Sequence, residues 1–133
     1  MALKNETFPI VSSNDVVRVR QIARSWATEL KLSLVDQTKL VTATSELARN
    51  TLEHGGGGSM SAQLVENNGR KGIKLIFDDQ GPGIANVELA LRDGYTTATG
   101  MGLGLSGSKR LVNEFDIKSE PGRGTTVTII RWK

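Results

Sequence analysis

Four stretches of this 133-residue chain set polar and glycine residues at spacings suited to nucleotide chemistry. In TSELARNTLEHG, Glu46 and Asn50 are four apart, so on a helix they stack in one stripe, with His54 near its end. That stripe by itself suits a solvated face, and a functional reading needs partners elsewhere in the chain. In FDDQGPGI, Asp79 ends a hydrophobic run and enters a D-x-G-x-G turn with Gly81 and Gly83. A carboxylate there can accept from an exocyclic amine, and the glycines let a flat ring approach the backbone. A plain turn after an edge strand is the competing reading, with Asp78 facing the other way.

The third stretch, TATGMGLGLSGSKR, carries Gly100, Gly102, Gly104 and Gly107 at the start of a helical pattern. Free N–H groups at a helix N-terminus, reinforced by its dipole, hold anions such as phosphates. A hinge is the alternative. Lys109 and Arg110 add positive charge nearby, although a basic exposed turn is commonly only solvated. The fourth, Gly124-Thr125-Thr126, opens a late strand, where threonine is at home for propensity reasons alone. The glycines match G-x-G-x-x-G at 102, 104 and 107 and nearly match the P-loop pattern, with Ser108-Lys109 in reversed order.

The elements decide between these patterns. Thr7 to Val11 reads as a short edge strand, because Pro9 has no N–H to donate. Ser12, Ser13 and Asn14 offer caps for a helix whose Val16, Val19, Ala23, Trp26 and Leu30 share one face. Trp26 is core-spaced, and Arg20 lies on the exposed side. Ser33 caps a second helix over 34–54, ended by four glycines. Residues 60–66 and 72–79 form a hairpin across Asn67-Asn68-Gly69. A short helix over 86–92, a polar loop over 93–99 and a helix over 104–115 follow. Strands at 117–119 and 125–132 close the chain. The order β-α-α-β-β-(α)-α-β-β predicts an α+β sandwich, a mixed, mostly antiparallel sheet covered by helices on one face. No strand leads directly into the glycines, which argues against both a Rossmann unit and a P-loop. The kinase strand V-A-I-K and loop H-R-D are absent as well.

Composition narrows the classes further. The length suits one domain spanning 1–133. With no cysteine and one histidine, neither disulfides nor a structural zinc site is expected. The net charge of +3 is interleaved, and aromatics are 5% of the chain, so stacking platforms for nucleic acid are scarce. No apolar run reaches a membrane span, and MALKNETF lacks a signal-peptide core, so no membrane role and a cytoplasmic protein are expected.

Glu-x-x-x-Asn on a helix, then D-x-G-x-G, then G-x-G-x-G, then G-T-T on a late strand together resemble the four boxes of the Bergerat, or GHKL, ATP-binding fold. The resemblance spans about residues 7–132. The short free-standing form is similar to bacterial anti-sigma-factor serine kinases, and ELARN, DQGPGI and GLGLSGSKRL with a very short lid resemble the stressosome switch kinases among them. It implies a protein-serine/threonine kinase that uses ATP and Mg2+. Its partners would be STAS-domain antagonist and scaffold proteins of the stressosome and a PP2C-type phosphatase that it activates once released. By motif, Glu46 would be the base and Asn50 the magnesium ligand. Asp79 would receive the adenine amine beside Gly81 and Gly83, with Thr125 or Thr126 in support. Gly100, Gly102, Gly104 and Lys109 would meet the phosphates, and Arg20 a partner. His54 in N-x-x-x-H-G is commonplace among sigma-binding relatives, so a sigma-binding kinase stands as the alternative. A non-catalytic ATP-dependent docking switch is the other.

Overall fold

The computed structural model describes residues 2–84, 87, 91 and 105–133. Strand β1 (Ala2–Ile10) leads into helices α1 (Ser13–Glu29) and α2 (Leu34–Glu53). Strands β2 (Gly58–Asn67) and β3 (Arg70–Asp79), helix α3 (Leu105–Arg110), β4 (Glu114–Ser119) and β5 (Thr125–Trp132) follow. The sheet order is β1-β2-β3-β5-β4, and each of these pairs is antiparallel. This is the α+β architecture that the element order predicts.

Local chemistry sets the boundaries. Ser12 caps α1, accepting from the Asp15 N–H at 3.3 Å, while the Asp15 carboxylate accepts from the Val11 N–H at 2.9 Å. Together they satisfy two backbone donors at the helix start. Ser33 does the same for α2, accepting from Asp36 N–H at 3.1 Å. Asn68 and Gly69, at φ 53° and 78°, turn β2 into β3 through a two-residue hairpin. Pro9 sits on β1, an edge strand, where its missing N–H costs no ladder bond.

One face of the sheet carries the core. Ile73, Leu75 and Phe77 alternate inward on β3, and Val127 and Ile129 on β5. Val19, Ala23, Trp26 and Ala27 of α1 and Leu40, Ala43, Leu47 and Ala48 of α2 pack over them. Arg131 on β5 ties the start of α2 to the loop after α3: it pairs with Asp36 at 2.6 Å and donates to the Leu111 carbonyl at 3.3 Å.

Several boundaries differ from the sequence reading: β1 starts at Ala2 rather than at Thr7, and β2 and β3 each begin two residues earlier than expected. The helix expected over 104–115 ends at Arg110, and β4 begins at Glu114 rather than at 117. Val112 is buried in the intervening turn, and Phe115 alternates with exposed neighbours as strand residues do. A helical spacing of apolar residues had merged a short helix with the strand after it. The helix expected over 86–92 lies largely outside the described residues, as do the loop over 93–99 and Gly100, Gly102 and Gly104.

Candidate active site

The C-terminal half of α2, the end of β3, the start of β5 and the start of α3 line a cleft open on one side. Its walls include Leu47, Asn50 and Thr51 from α2, Phe77 and Asp79 from β3, and Thr125 and Val127 from β5. Ile84 and Leu105 complete an apolar slot with a carboxylate at its inner end.

Asp79 is only 9% exposed. Its Oδ1 accepts from the Gly81 N–H at 2.9 Å, and its β5 neighbour is Thr125. Burial pushes this carboxyl above its ordinary value; the Gly81 and Thr125 N–H groups pull the other way, Asp78 adds a small upward push and His54 a small downward one. The site therefore keeps an acceptor where a carboxylate is costly.

Glycines make room for it. A Cβ on Gly55 would fall on the Asp79 side chain, and one on Gly124 on the Asp79 backbone carbonyl. A Cβ on Gly81 would sit 2.6 Å from the Gly55 Cα. The end of α2, the turn after β3 and the turn before β5 thus meet backbone to backbone around one carboxylate. Gly83, at φ 75°, lies against the Glu120 carbonyl, and the Gly122 N–H donates to the Pro82 carbonyl at 2.8 Å. The D-x-G-x-G turn is docked on the β4–β5 turn.

Asn50 lines the cleft wall with its Nδ2 buried and without a hydrogen-bond partner. A buried, unpaired amide is expensive, so this atom calls for a partner from outside the chain. Glu46 stands one turn before it on α2, with its side chain 34% exposed. Arg49 reaches back to Glu46 Oε1 at 3.2 Å. The i,i+3 Glu–Arg spacing in ELARN was the available sign of that pair. An exposed pair of this kind contributes about 0.2–1 kcal/mol to stability, so Arg49→Ala is expected to leave the melting temperature within a few degrees of wild type, read by differential scanning calorimetry.

The two threonines separate cleanly. Thr125 lines the cleft, whereas Thr126 points to the opposite face and donates to Asp78 Oδ1 at 2.7 Å. A residue beside the cleft carboxylate must be its cross-strand partner, and that is Thr125; Thr126 is displaced as a ring contact by strand alternation. Lys109 is exposed on α3, and Arg20 is exposed on α1, away from the cleft lining. Trp26 is a core residue, with Lys4 stacked over its ring at 4.4 Å. Arg49, Gly55 and Ser119 are the contributors the sequence reading passed over. Ser119 joins the turns through its hydroxyl, and four glycines where one ends a helix were the sign of the Gly55 contact.

Among the described residues no group of three or more histidine, cysteine or acidic side chains is placed to hold a metal ion, and no helix is long and apolar enough to cross a membrane.

Residues 35–133 match the family described as histidine kinase-, DNA gyrase B-, and HSP90-like ATPase. The chain is 43% identical over 123 residues to the serine/threonine-protein kinase RsbT of Bacillus subtilis, covering 92% of each chain. An anti-sigma F factor of Thermoanaerobacter is 25% identical over 118 residues, 85% of this chain and 82% of that one. In structure, it resembles the RsbU and RsbW domains of a Mycobacterium tuberculosis protein, with a TM-score of 0.63 at 23% identity, covering 98% of this chain and 33% of that one. The SiaB-SiaC complex of Pseudomonas aeruginosa matches at a TM-score of 0.56 and 14% identity, over 99% of this chain and 91% of that one. A glycine-walled carboxylate at a strand end, a helix carrying glutamate and asparagine over the same cleft, and this kinship agree: the chain belongs to the histidine kinase-, DNA gyrase B- and HSP90-like ATPase family, on its serine/threonine-protein kinase side.

Proposed function

We propose that the protein transfers the γ-phosphoryl group of ATP to a serine or threonine of STAS-domain stressosome proteins in the cytoplasm. After its release from them it binds and activates a PP2C-type phosphatase. The observation that carries the catalytic half is the placement of Glu46 and Asn50 one turn apart on α2, beside the cleft whose inner end is Asp79.

Adenine enters the apolar slot with its amine donating to Asp79, whose carboxylate the Gly81 and Gly55 backbones hold in place. A bound Mg2+ neutralises phosphate charge. The unpartnered Asn50 Nδ2 is a donor and suits a phosphate oxygen, while the Asn50 Oδ1 would be the side-chain ligand to Mg2+, a sparse set that suits a cation reluctant to shed water. Glu46 takes the proton of the acceptor hydroxyl as that oxygen bonds to the γ-phosphorus. The bond to the β–γ bridging oxygen breaks and ADP leaves with its electron pair. Positioning and charge neutralisation do most of the work in such a transfer. Gly100, Gly102, Gly104 and Lys109 are proposed for the phosphates, and Arg20 for a partner surface. The name of the 43% identical relative supports the kinase class.

His54 beside Asp79 keeps the sigma-binding alternative in play, and the 25% identical relative is itself an anti-sigma factor. The two readings part in a binding experiment. The protein with ADP is mixed in turn with a purified single-domain STAS protein, a PP2C-type phosphatase and a sigma factor. Co-elution with the STAS protein, and stimulation of the phosphatase by the free kinase, are expected. A stable complex with the sigma factor alone would overturn the stressosome assignment.

A further inference from the structure

The Ser119 hydroxyl sits at a four-way junction where the turn after β3 meets the β4–β5 turn. It accepts from the Ile84 N–H at 2.7 Å, donates to the Gly124 carbonyl at 3.0 Å and lies 2.8 Å from the Thr125 hydroxyl. A serine hydroxyl has one proton and two lone pairs. The Gly124 carbonyl can only accept, so it takes that proton. The Ile84 N–H can only donate, so it takes one lone pair. The remaining contact is satisfied only if Thr125 donates its own proton to Ser119.

The consequence falls on the cleft. Thr125, which lines the cleft, has spent its hydroxyl proton on Ser119, so its hydroxyl has lone pairs alone left to offer a ligand. Asp79, its cross-strand partner, also accepts. The inner end of the slot therefore presents two acceptors side by side.

We propose that Ser119 is a specificity-determining, positioning residue: by fixing the Thr125 rotor as an acceptor, it favours a purine that presents an amine over one that presents a carbonyl. Adenine donates there, whereas guanine would set its O6 against the two acceptors. The claim rests on the nucleotide-binding reading above. Asp79 contributes a preference of its own, and Ser119 adds to it through Thr125. With Ser119→Ala, the Thr125 hydroxyl turns and donates to guanine O6, so the selectivity falls while adenine can still bind.

The test is the ratio of GTP to ATP dissociation constants, measured by titration calorimetry at one pH for every variant. Wild type, Ser119→Ala, Ser119→Thr, Thr125→Val and the Ser119→Ala/Thr125→Val double variant are compared. The ratio is expected to fall about tenfold in Ser119→Ala, the worth of one reversed hydrogen bond. Ser119→Thr keeps a hydroxyl and should keep the ratio. In the Thr125→Val background Ser119→Ala should leave the ratio where Thr125→Val alone puts it. If Ser119→Ala does not fold, Ser119→Cys, a poor donor and acceptor, is read in its place. Equal losses for both nucleotides with the ratio preserved would reduce Ser119 to a staple between turns and overturn the proposal. A wild type that binds neither nucleotide would overturn the nucleotide-binding reading itself.

Discussion

Glu46→Ala is expected to lose phosphoryl transfer by about two to four orders of magnitude, the usual contribution of a positioned general base. ATP affinity should stay within about threefold of wild type, because Glu46 is not among the residues that line the cleft. Its partner Arg49 then stands alone on the surface, which costs little in an exposed position. Quenched-flow transfer and nucleotide titration on the same preparation check both halves. Transfer at the wild-type rate would remove Glu46 as the base. A matching loss of affinity would make it a binding residue.

The second large effect is at Asp79, and it has two signs. Asn keeps the shape and an oxygen for the Gly81 N–H, but turns an NH2 toward the adenine amine. Two donors then face each other, and ATP affinity should fall about a hundredfold, since a site built for one hydrogen-bond pattern rejects its reverse strongly. Stability should move the other way. The Asp79 pKa is raised chiefly by burial, so the fold favours the protonated acid. That contribution is present at acidic pH and is lost as pH rises through the raised folded value. Above that raised value the ionised carboxylate weakens the nucleotide-free fold, and there Asp79→Asn should melt at a higher temperature than wild type. The gap should close as pH falls below the raised value toward the ordinary carboxylate value of about 3.9. ATP affinity of the wild type should decline across that same window as the acceptor gains its proton. Differential scanning calorimetry against pH, with and without ATP, reads both effects.

A trade of stability for binding explains why this carboxylate is so tightly built in. Gly55, Gly81 and Gly124 bring three backbones against it, leaving no room for a Cβ. A side chain at any of the three would force the walls apart, and the slot with them.

Much of this arrangement was legible in the sequence, because it rests on local periodicity. The stripe of Glu46 and Asn50 follows from helical spacing, Ser12 and Ser33 from capping chemistry, and the β2–β3 hairpin from Asn68-Gly69. Asp79 was marked by an alternating strand that runs into glycines. What stayed hidden depends on register between distant segments. Whether Thr125 or Thr126 faces the cleft is decided by the pairing of Asp79 with Thr125, and residues 46 apart in the chain carry no local sign of it. The Ser119 junction is hidden for the same reason, since it joins residue 84 to a turn 35 positions later. The break between α3 and β4 was missed because Leu105, Val112 and Phe115 all pack on the same core and mimic one helical face.

The most direct test of the kinase claim is transfer of labelled γ-phosphate from Mg·ATP to a purified single-domain STAS protein, with the modified residue located by peptide mapping. Label on a serine or threonine hydroxyl, absent with Glu46→Ala, is the predicted result. ATP binding with no transfer to that protein, under conditions where the two co-elute, would contradict the account and leave an ATP-dependent docking switch in its place.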